Sequence, residues 1–353
     1  MAVKKLLIEE FIQLSERLPI FDVRSPGEYR HAHIPGSISL PLFTDEERKM
    51  VGTLYKQQGR QTAIKKGLDF FGPKMKAMVE QVEEATGKNK LPAAANYSKP
   101  ILIHCWRGGM RSEAVSWLLQ LYGFEVYVLV GGYKAYRRWA LQYFEKEFNC
   151  IILGGYTGSG KTSILHELQQ RHQPVVDLEA LANHKGSAFG GIGLAPQPTQ
   201  EMFENLLAHA LHKQGPHFYI EDESQRIGVL HIPHAFWKMM RTKAIYFIEI
   251  PFAERLQNIT KEYGQCDREK LKISIERIQK RLGPLETKTA LLHLEHNEIT
   301  ACFDILLRYY DKVYNKAMHN RENVAGLLNK IPCSHVDIKS NTEKLLLCSS
   351  AGS

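Results

Sequence analysis

The sequence predicts an α/β protein with two domains, each built on a mostly parallel sheet, with helices at the end of the second. The chain has 353 residues, which is enough for two separate hydrophobic cores. Short apolar strands alternate with helical segments, a pattern typical of parallel sheets. Two glycine-rich loops, at 104–112 and 155–162, each stand between an apolar strand and a helix. Each half of the chain therefore has its own sheet and its own loop.

The first half, residues 1–145, alternates strands and helices. Apolar runs and helical spacing predict a helix at 6–18, strands at 20–23, 38–42 and 101–103, a helix at 112–122, a strand at 126–130 and a helix at 133–148. Residues 88–99 contain Pro92 and three alanines and predict a flexible loop.

The second half, residues 146–341, begins with the strand that leads into the second loop. Its predicted elements are a strand at 150–153, a helix at 163–171, a strand at 175–177, a helix at 199–213 and strands at 217–221 and 244–250. Beyond Phe252 the pattern is mainly helical. Residues 342–353 are predicted to be a disordered tail.

The composition is that of a globular protein. Apolar residues make up 44% of the chain and charged residues 24%, and there is no apolar run of the roughly eighteen residues that a membrane span needs. The N-terminus lacks the features of a signal peptide. Six cysteines occur without a CxxC pair, which indicates reduced thiols and no structural metal site. These features predict a cytoplasmic protein.

Two segments concentrate the basic residues of a chain whose formal net charge is +8. Residues 48–76 contain eight basic residues and one acid, and residues 268–281 contain six basic residues and two acids. Such patches are expected for a polyanionic partner, although a solvated basic surface has the same composition. The candidate nucleic-acid contacts are Lys56, Arg60, Lys65, Lys66, Lys270, Arg277, Lys280 and Arg281.

The first glycine-rich loop predicts a reactive thiolate at Cys105. A strand brings this cysteine to the sheet edge, where the N–H groups of the loop and of the next helix stabilise negative charge. Arg107 and Arg111 are suited to holding a tetrahedral oxyanion. The residues predicted to support the loop are Trp106, Gly108, Gly109 and Ser112.

A second chemistry fits the same loop. The Cys-x5-Arg spacing from Cys105 to Arg111 is also that of phosphatases, which use a thiolate in an anion cradle. The loop residues alone leave phosphatase chemistry and sulfur or selenium transfer both open.

The second loop matches Gly-x4-Gly-Lys-Thr, which predicts a phosphate-binding loop. Its N–H groups would surround a diphosphate or triphosphate, Lys161 would neutralise the terminal phosphate, and Thr162 would lie near a Mg²⁺ ion. The predicted contacts are Gly155, Thr157, Gly158, Ser159, Gly160, Lys161, Thr162 and Ser163. Three acids at strand ends are candidates for the metal side: Asp177, Glu221 and Asp222.

The first half resembles rhodanese sulfurtransferase domains. Residues 22–29 and 33–38 are similar to their N-terminal signature, and residues 131–133 are similar to their closing segment. One departure is Ala32, which stands where a glycine is usual before His-Ile-Pro-Gly. The resemblance implies a rhodanese-like parallel-sheet domain followed by a P-loop NTPase-like α/β domain with a helical C-terminal part.

A rhodanese domain fused to a P-loop domain resembles the tRNA 2-selenouridine synthase family. The likeness is carried by residues 22–29, 51–57, 105–112, 177–179, 184–190 and 221–224. It implies that selenium from selenophosphate replaces the sulfur of wobble 2-thiouridine in tRNA. It also implies an S-geranylated intermediate made from geranyl diphosphate.

The resemblance assigns a task to each loop. The P-loop would hold the diphosphate of the geranyl donor with Lys161 and Mg²⁺, and Cys105 with Arg107 and Arg111 would serve the selenation step. The basic segments would bind the anticodon arm of tRNA. An enzyme that supplies selenophosphate is a further candidate partner, and no membrane contact is implied.

Two alternatives differ from this interpretation. One is a rhodanese-fold, Cys-dependent phosphatase or sulfurtransferase coupled to a nucleotide-binding domain. The other is an RNA-binding protein whose loops are inactive.

Overall fold

The computed structural model describes residues 3–87 and 100–350 and separates the chain into two compact units, Met1–Tyr143 and Phe144–Ser353. The division falls just before the predicted boundary at 145/146. The predicted loop at 88–99 lies outside the described residues. Each unit contains a five-stranded sheet whose strand pairings are parallel, which confirms the predicted fold class.

The first unit has the strands β1 Lys4–Leu6, β2 Ile20–Asp22, β3 Ile38–Ser39, β4 Pro100–His104 and β5 Glu125–Leu129. Their order across the sheet is β1-β5-β4-β2-β3, so β4 lies at the centre. Three consecutive apolar residues of β4, at 101–103, are fully buried. A continuous apolar run is expected for a parallel strand that is covered on both faces.

The helices described in the first unit are α1 Ile8–Ser15, α2 Pro26–His31, α3 Asp45–Gln58, α4 Arg60–Phe71, α5 Met75–Thr86, α6 Met110–Tyr122 and α7 Gly132–Tyr143. A 3₁₀ turn at Gly72–Lys74 joins α4 to α5. The sequence analysis did not assign α3, α4 and α5, of which α3 and α4 lie largely in the basic segment at 48–76 and α5 begins at its end. Thr44 caps α3 by accepting a hydrogen bond from the Glu47 N–H at 3.2 Å, a local signal that was available in the sequence.

A buried ion pair fixes the end of β2. The Arg24 guanidinium contacts both carboxylate oxygens of Asp22 and donates to the Ala32 carbonyl at 2.7 Å. Burial alone would raise the pKa of Asp22, but neighbouring His104 and Arg24 hold that pKa below its usual value. Ala32 has an extended backbone (φ −166°) that any residue adopts, so alanine is accommodated in place of glycine.

The second unit has the strands β6 Asn149–Gly154, β7 Val175–Val176, β8 His217–Glu221, β11 Ile245–Glu249 and β12 Leu328–Pro332, in the order β12-β11-β6-β8-β7. A separate antiparallel hairpin consists of β9 Arg226–Ile227 and β10 Leu230–His231. Strand β12 was not predicted, because its sequence Leu-Asn-Lys-Ile-Pro has no apolar run.

The helices described in the second unit are α8 Lys161–Gln170, α9 Leu178–Ala182, α10 Gln200–Gln214, α11 His234–Met240, α12 Phe252–Tyr263, α13 Arg268–Leu282, α14 Pro284–Glu295, α15 Ile299–His319, α16 Val324–Leu327 and α17 Ile338–Ser350. Leu271, Ile275, Ile278 and Leu282 of α13 are buried in one cluster with side chains of α12, α14 and α15. This cluster is the core of the helical part.

Two predicted segment ends were wrong. The helix predicted at 133–148 ends at Tyr143, because Phe144 and Phe148 pack against Phe236 of the second unit. The tail predicted to be disordered from residue 342 forms most of α17, in which Leu345 is fully buried in the core beside the sheet. Packing against α8 and the strands β11 and β12 orders this helix.

No helix in the described parts of the chain combines the length and apolar character that crossing a membrane requires.

The buried pair of Asp22 and Arg24 gives a stability prediction. We expect Asp22→Asn to lower the free energy of unfolding by about 3–5 kcal/mol, because the substitution leaves a buried guanidinium without its counter-charge. Urea denaturation of the whole chain measures the loss, and hydrogen exchange of β2 and β4 assigns it to the first unit. Asp69→Asn, which breaks an exposed pair with Lys66, is the control. Equal effects of the two substitutions would contradict the prediction.

Candidate functional site

Cys105 lies directly after β4, and the loop that follows leads into α6. The thiol is 3% exposed. Its Sγ is 3.3 Å from the Ser112 Oγ, and the Ser112 hydroxyl also lies 2.9 Å from the Gly109 carbonyl. The strand end and the first turn of the helix therefore enclose the sulfur.

The surroundings of Cys105 favour the thiolate. Burial raises the pKa of the thiol, but the Ser112 hydroxyl, the N–H groups of Arg107 and Gly109, and the charge of Arg111 outweigh burial. The net effect is a pKa below the ordinary value for cysteine. These are the conditions under which a cysteine becomes a nucleophile.

The closing segment that follows β5 packs on the backbone of this loop. The Tyr133 N–H donates to the Cys105 carbonyl at 2.8 Å, and the Lys134 N–H donates to the Trp106 carbonyl at 3.1 Å. Gly132 has φ +57°, and a Cβ there would lie 2.4 Å from the Cys105 carbonyl oxygen. The predicted site omitted Gly132, although its motif was noticed, because only the fold brings it against the cysteine.

Trp106 forms part of an aromatic stack beside the loop. Its ring centroid is 5.7 Å from that of Tyr133, and the Arg24 guanidinium lies 3.7 Å from the Tyr133 centroid. The Trp106 side chain is nevertheless 36% exposed. It therefore packs the loop with one part of its surface and leaves another part open to a ligand.

The two predicted oxyanion-binding arginines differ in their surroundings. Arg111 Nη1 donates to Glu28 Oε2 at 2.8 Å, whereas Arg107 is exposed. Burial raises the pKa of Glu28, but hydrogen bonding to Arg111 outweighs it and keeps the carboxylate charged. An oxyanion at Cys105 would share Arg111 with Glu28. Sequence reasoning missed Glu28, because 83 residues separate the two partners.

The predicted phosphate loop connects β6 to α8, as the motif requires. Lys161 Nζ donates to the Gly155 carbonyl at 2.8 Å, so the ammonium is held over the loop. The Gly155 N–H is directed to the Tyr314 hydroxyl at 3.4 Å, and the Ser159 N–H donates to the Tyr156 carbonyl at 3.1 Å. Two of the N–H groups predicted to surround a ligand therefore have partners within the protein.

The three predicted acids occupy different environments. Asp177 caps α9 by accepting from the Ala180 N–H at 2.7 Å. Asp222 accepts from the Tyr314 hydroxyl at 2.7 Å and pairs with Arg321. Glu221 is 2% exposed and accepts from the Glu179 N–H at 2.8 Å. None of these contacts joins a predicted acid to Thr162.

Glu179 is the acid that contacts the phosphate loop. Its Oε2 accepts from the Thr162 hydroxyl at 2.9 Å. A Cβ placed on Gly186 would be 3.0 Å from Glu179 Oε1 and 2.8 Å from Glu223 Oε2, so the two carboxyl groups approach the same point. Sequence reasoning missed Glu179, which stands inside a helix and not at a strand end.

Burial and mutual repulsion raise the pKa values of these acids. Burial raises the pKa of Glu179 despite the nearby charge of Lys161. Burial and the charge of Glu179 raise the pKa of Glu223 to about 8. Burial and the charge of Asp177 raise the pKa of Glu221 well above its usual value. Such a desolvated group of carboxyls is suited to holding a cation or a proton.

A cleft of about 1840 Å³ contains the phosphate loop of the second unit. All the predicted phosphate-loop contacts from Thr157 to Ser163 line it, together with Glu179, Glu223 and Arg321. Three of the four basic candidates on α13 also line the cleft, namely Arg277, Lys280 and Arg281. Lys270 is exposed elsewhere on that helix.

The basic candidates of the first unit lie on α3 and α4. Lys56, Arg60 and Lys65 are exposed. Lys66 is half-buried, and its Nζ is 3.3 Å from an oxygen of Asp69. This surface is available for an anion, with one of its four cations already paired.

Comparisons with known proteins identify both halves of the chain. A family model described as tRNA 2-selenouridine synthase AAA domain matches residues 148–330. A model described as Rhodanese-like domain matches residues 7–138. The two matches correspond to the two sheets and their loops.

Similar proteins cover most of the chain. A protein of Nitrosomonas europaea named tRNA 2-selenouridine synthase is 33% identical over 303 residues, which are 81% of this chain and 73% of that protein. Proteins of the same name from Hydrogenovibrio crunogenus and Sulfurovum sp. are 34% and 36% identical. The alignments cover 87% and 84% of this chain and 91% and 88% of those proteins.

Ser112 gives a prediction about the thiol. We expect Ser112→Ala to raise the pKa of Cys105, because the thiolate loses the hydrogen bond from the Ser112 hydroxyl. Alkylation of the Cys105 peptide by iodoacetamide, followed against pH by mass spectrometry, measures the shift. Ser116→Ala removes a buried hydroxyl one turn further along α6 and serves as the control. An unchanged profile for Ser112→Ala would exclude the serine as a stabiliser of the thiolate.

Proposed function

The chain belongs to the tRNA 2-selenouridine synthase family, and we propose from this premise that it replaces the 2-thio sulfur of wobble uridine in tRNA with selenium from selenophosphate. The replacement proceeds through an S-geranylated tRNA made from geranyl diphosphate. The observation that carries the proposal is the presence in one chain of a stabilised thiolate at Cys105 and a complete phosphate loop at Lys161.

The phosphate loop serves the geranylation step. The 2-thio sulfur forms a bond to the first carbon of the geranyl group while the bond from that carbon to the diphosphate oxygen breaks. Lys161, which the Gly155 carbonyl holds over the loop, turns to the diphosphate and stabilises the charge that develops as it leaves. The remaining N–H groups of the loop and the N-terminus of α8 bind the phosphate oxygens.

The residues beside the loop fit a Mg²⁺ ion. Thr162 and Glu179, whose oxygens lie 2.9 Å apart, would hold it. Among the described residues no group of three or more His, Cys, Asp or Glu side chains forms a metal site, and Mg²⁺ in phosphate-transfer sites usually has few protein ligands. When bound, the ion supplies neutralisation of the diphosphate charge.

Cys105 serves the selenation step. Selenophosphate is a tetrahedral anion, and the loop N–H groups with Arg107 and Arg111 suit such a ligand. Selenium forms a bond to the 2-position of the base, and the geranylated sulfur departs with its electron pair. The lowered pKa of Cys105 provides a thiolate that bonds to phosphorus as the Se–P bond breaks, which releases selenide for this step, and water then removes the phosphate from the cysteine.

The basic candidates bind the tRNA. Arg277, Lys280 and Arg281 lie along the cleft that contains the phosphate loop, so phosphates of the anticodon arm would hold the wobble base near the prenyl donor. Lys56, Arg60, Lys65 and Lys66 offer a second anion surface, and Lys270 extends the first. A cytoplasmic location and a partner enzyme that supplies selenophosphate remain predictions from the sequence.

The two loops give separable predictions for the reaction. We expect Lys161→Ala to lower geranylation by at least about 100-fold, because it removes the charge that stabilises the leaving diphosphate. Cys105→Ala should abolish selenium incorporation while geranylated tRNA accumulates. Mass spectrometry of nucleosides from 2-thiouridine-containing tRNA, after incubation with geranyl diphosphate, Mg²⁺ and selenophosphate, measures both products.

Two control variants distinguish separate functions of the two loops from a general loss of structure. Lys288→Ala and Cys348→Ala change an exposed lysine and an exposed cysteine outside both loops and should retain both steps. Loss of geranylation in Cys105→Ala would show that the assignment of the loops is wrong. Phosphate release that needs Cys105 but not Lys161, with tRNA unmodified, would favour the rhodanese-fold phosphatase.

The α13 surface gives a prediction about tRNA binding. We expect the double variant Arg277→Glu/Arg281→Glu to weaken binding and to reduce the slope of log K against log salt by about two, because each lost phosphate contact removes about one released counterion. Filter binding at several salt concentrations measures the slope. Lys288→Glu/Lys339→Glu makes the same charge change at exposed positions away from the cleft. Equal slopes for the two variants would remove α13 from the tRNA surface.

A further inference from the structure

Arg321 is a buried arginine that the protein itself only partly satisfies. Its side chain is 2% exposed and pairs through Nη2 with Asp222. Its Nε and Nη1 have no hydrogen-bond partner within the described parts of the chain. Buried charged donors are costly to leave unpaired, so a guanidinium with two such nitrogens is suited to an external acceptor.

A second arginine makes this region more cationic. The Arg241 guanidinium lies 4.8 Å from the Trp237 ring centroid, and its Nη2 donates to the Ala317 carbonyl at 3.4 Å. Burial and the charge of Arg321 lower the pKa of Arg241, whereas Asp222 raises it. Asp222 therefore lies near both guanidiniums and pairs with that of Arg321.

Hydrogen bonds connect Arg321 to the phosphate loop. Asp222 holds Arg321 on one oxygen and accepts from the Tyr314 hydroxyl on the other. The same hydroxyl lies 3.4 Å from the Gly155 nitrogen, at the start of the loop. Arg241, Arg321 and Lys161 all line the one cleft. Arg321 and the phosphate loop therefore border the same cleft.

We propose that Arg321, assisted by Arg241, forms a second phosphate subsite in this cleft and binds the phosphate group of the diphosphate that Lys161 does not hold. This inference rests on the proposed function, since it names the residues that would bind the diphosphate as it leaves in the geranylation step. Asp222 and Tyr314 are positioning residues, which fix the guanidinium so that Nε and Nη1 point to the phosphate. A planar guanidinium matches two phosphate oxygens with two N–H donors.

Burial favours a small anion as the ligand. A phosphate of tRNA offers the same oxygens, but it is part of a backbone with bulky neighbours on both sides. The Arg321 guanidinium is 2% exposed, lines the cleft and is connected through Asp222 and Tyr314 to the start of the phosphate loop, so a small diphosphate reaches it more readily than a polymer backbone does. The experiment must therefore distinguish a free diphosphate from a phosphate of the tRNA backbone as the ligand of Arg321.

Calorimetric titration of the full chain with inorganic diphosphate, in the presence of Mg²⁺, tests the subsite without any transfer reaction. We expect Arg321→Lys to weaken diphosphate binding by about 10- to 100-fold, because the fork of two N–H donors is lost. Binding of inorganic monophosphate, which needs the loop alone, should change less than about threefold. Arg308→Lys, an exposed arginine paired with Asp304 on α15, is the matched control.

A compensated variant protects the test against misfolding. Arg321→Gln/Asp222→Asn removes both charges of the pair together and should show the same selective loss of diphosphate binding. Wild-type affinity for diphosphate in either variant would overturn the inference. Weaker tRNA binding with unchanged diphosphate binding would assign Arg321 to the tRNA backbone and also overturn it.

The outcome is distinguishable from failure of the proposed function. Diphosphate binding that depends on Arg321, together with no geranylated nucleoside from the wild-type protein, would preserve the subsite and refute the geranylation step. Geranylated nucleoside formed at the same rate by the wild type and by Arg321→Lys would preserve that step and refute the subsite.

Discussion

Both loops depend on one constraint. In each of them the chain passes from the end of a parallel strand into a helix at the carboxyl edge of the sheet. Strands β4 and β6 are buried in their sheets, and the residue that follows each strand lies at this edge. The following helix then presents free N–H groups to it. Cys105 and the 155–160 loop occupy these two positions. The position of each loop therefore follows from where its sheet ends, and its side chains determine which ligand we propose for it.

The cations that would bind ligands are held by acceptors of the protein itself. Arg111 is paired with Glu28, Lys161 is bonded to the Gly155 carbonyl, and Arg321 is paired with Asp222. These contacts position the charges without neutralising them fully, since the hydrogen bond of Lys161 is to a carbonyl and, among the described residues, Nε and Nη1 of Arg321 have no acceptor. An arriving anion thus meets oriented donors and needs little further reorganisation.

Buried acids lie in the same region as the cations Lys161 and Arg321 of the phosphate-loop cleft. Burial raises the pKa values of Glu179, Glu221 and Glu223, and the charge of Glu179 raises those of Glu221 and Glu223 further. A cation at Thr162 would relieve the repulsion, which is why these acids and a diphosphate are compatible in one cleft. Glu179 and Glu223 line this cleft together with Lys161, Arg241 and Arg321, so its wall carries charges of both signs.

The sequence by itself determined the two parallel sheets, the two loops and their key residues Cys105 and Lys161, because strand runs and loop motifs are local patterns. Tertiary structure decided which distant groups act on those residues. Glu28 reaches Arg111 across 83 positions, and Arg321 reaches Asp222 across 99. Leu345 was predicted to lie in a disordered tail, but the second sheet buries it. Contacts between residues so far apart depend on how the strands are ordered, and no local spacing in the sequence records that order.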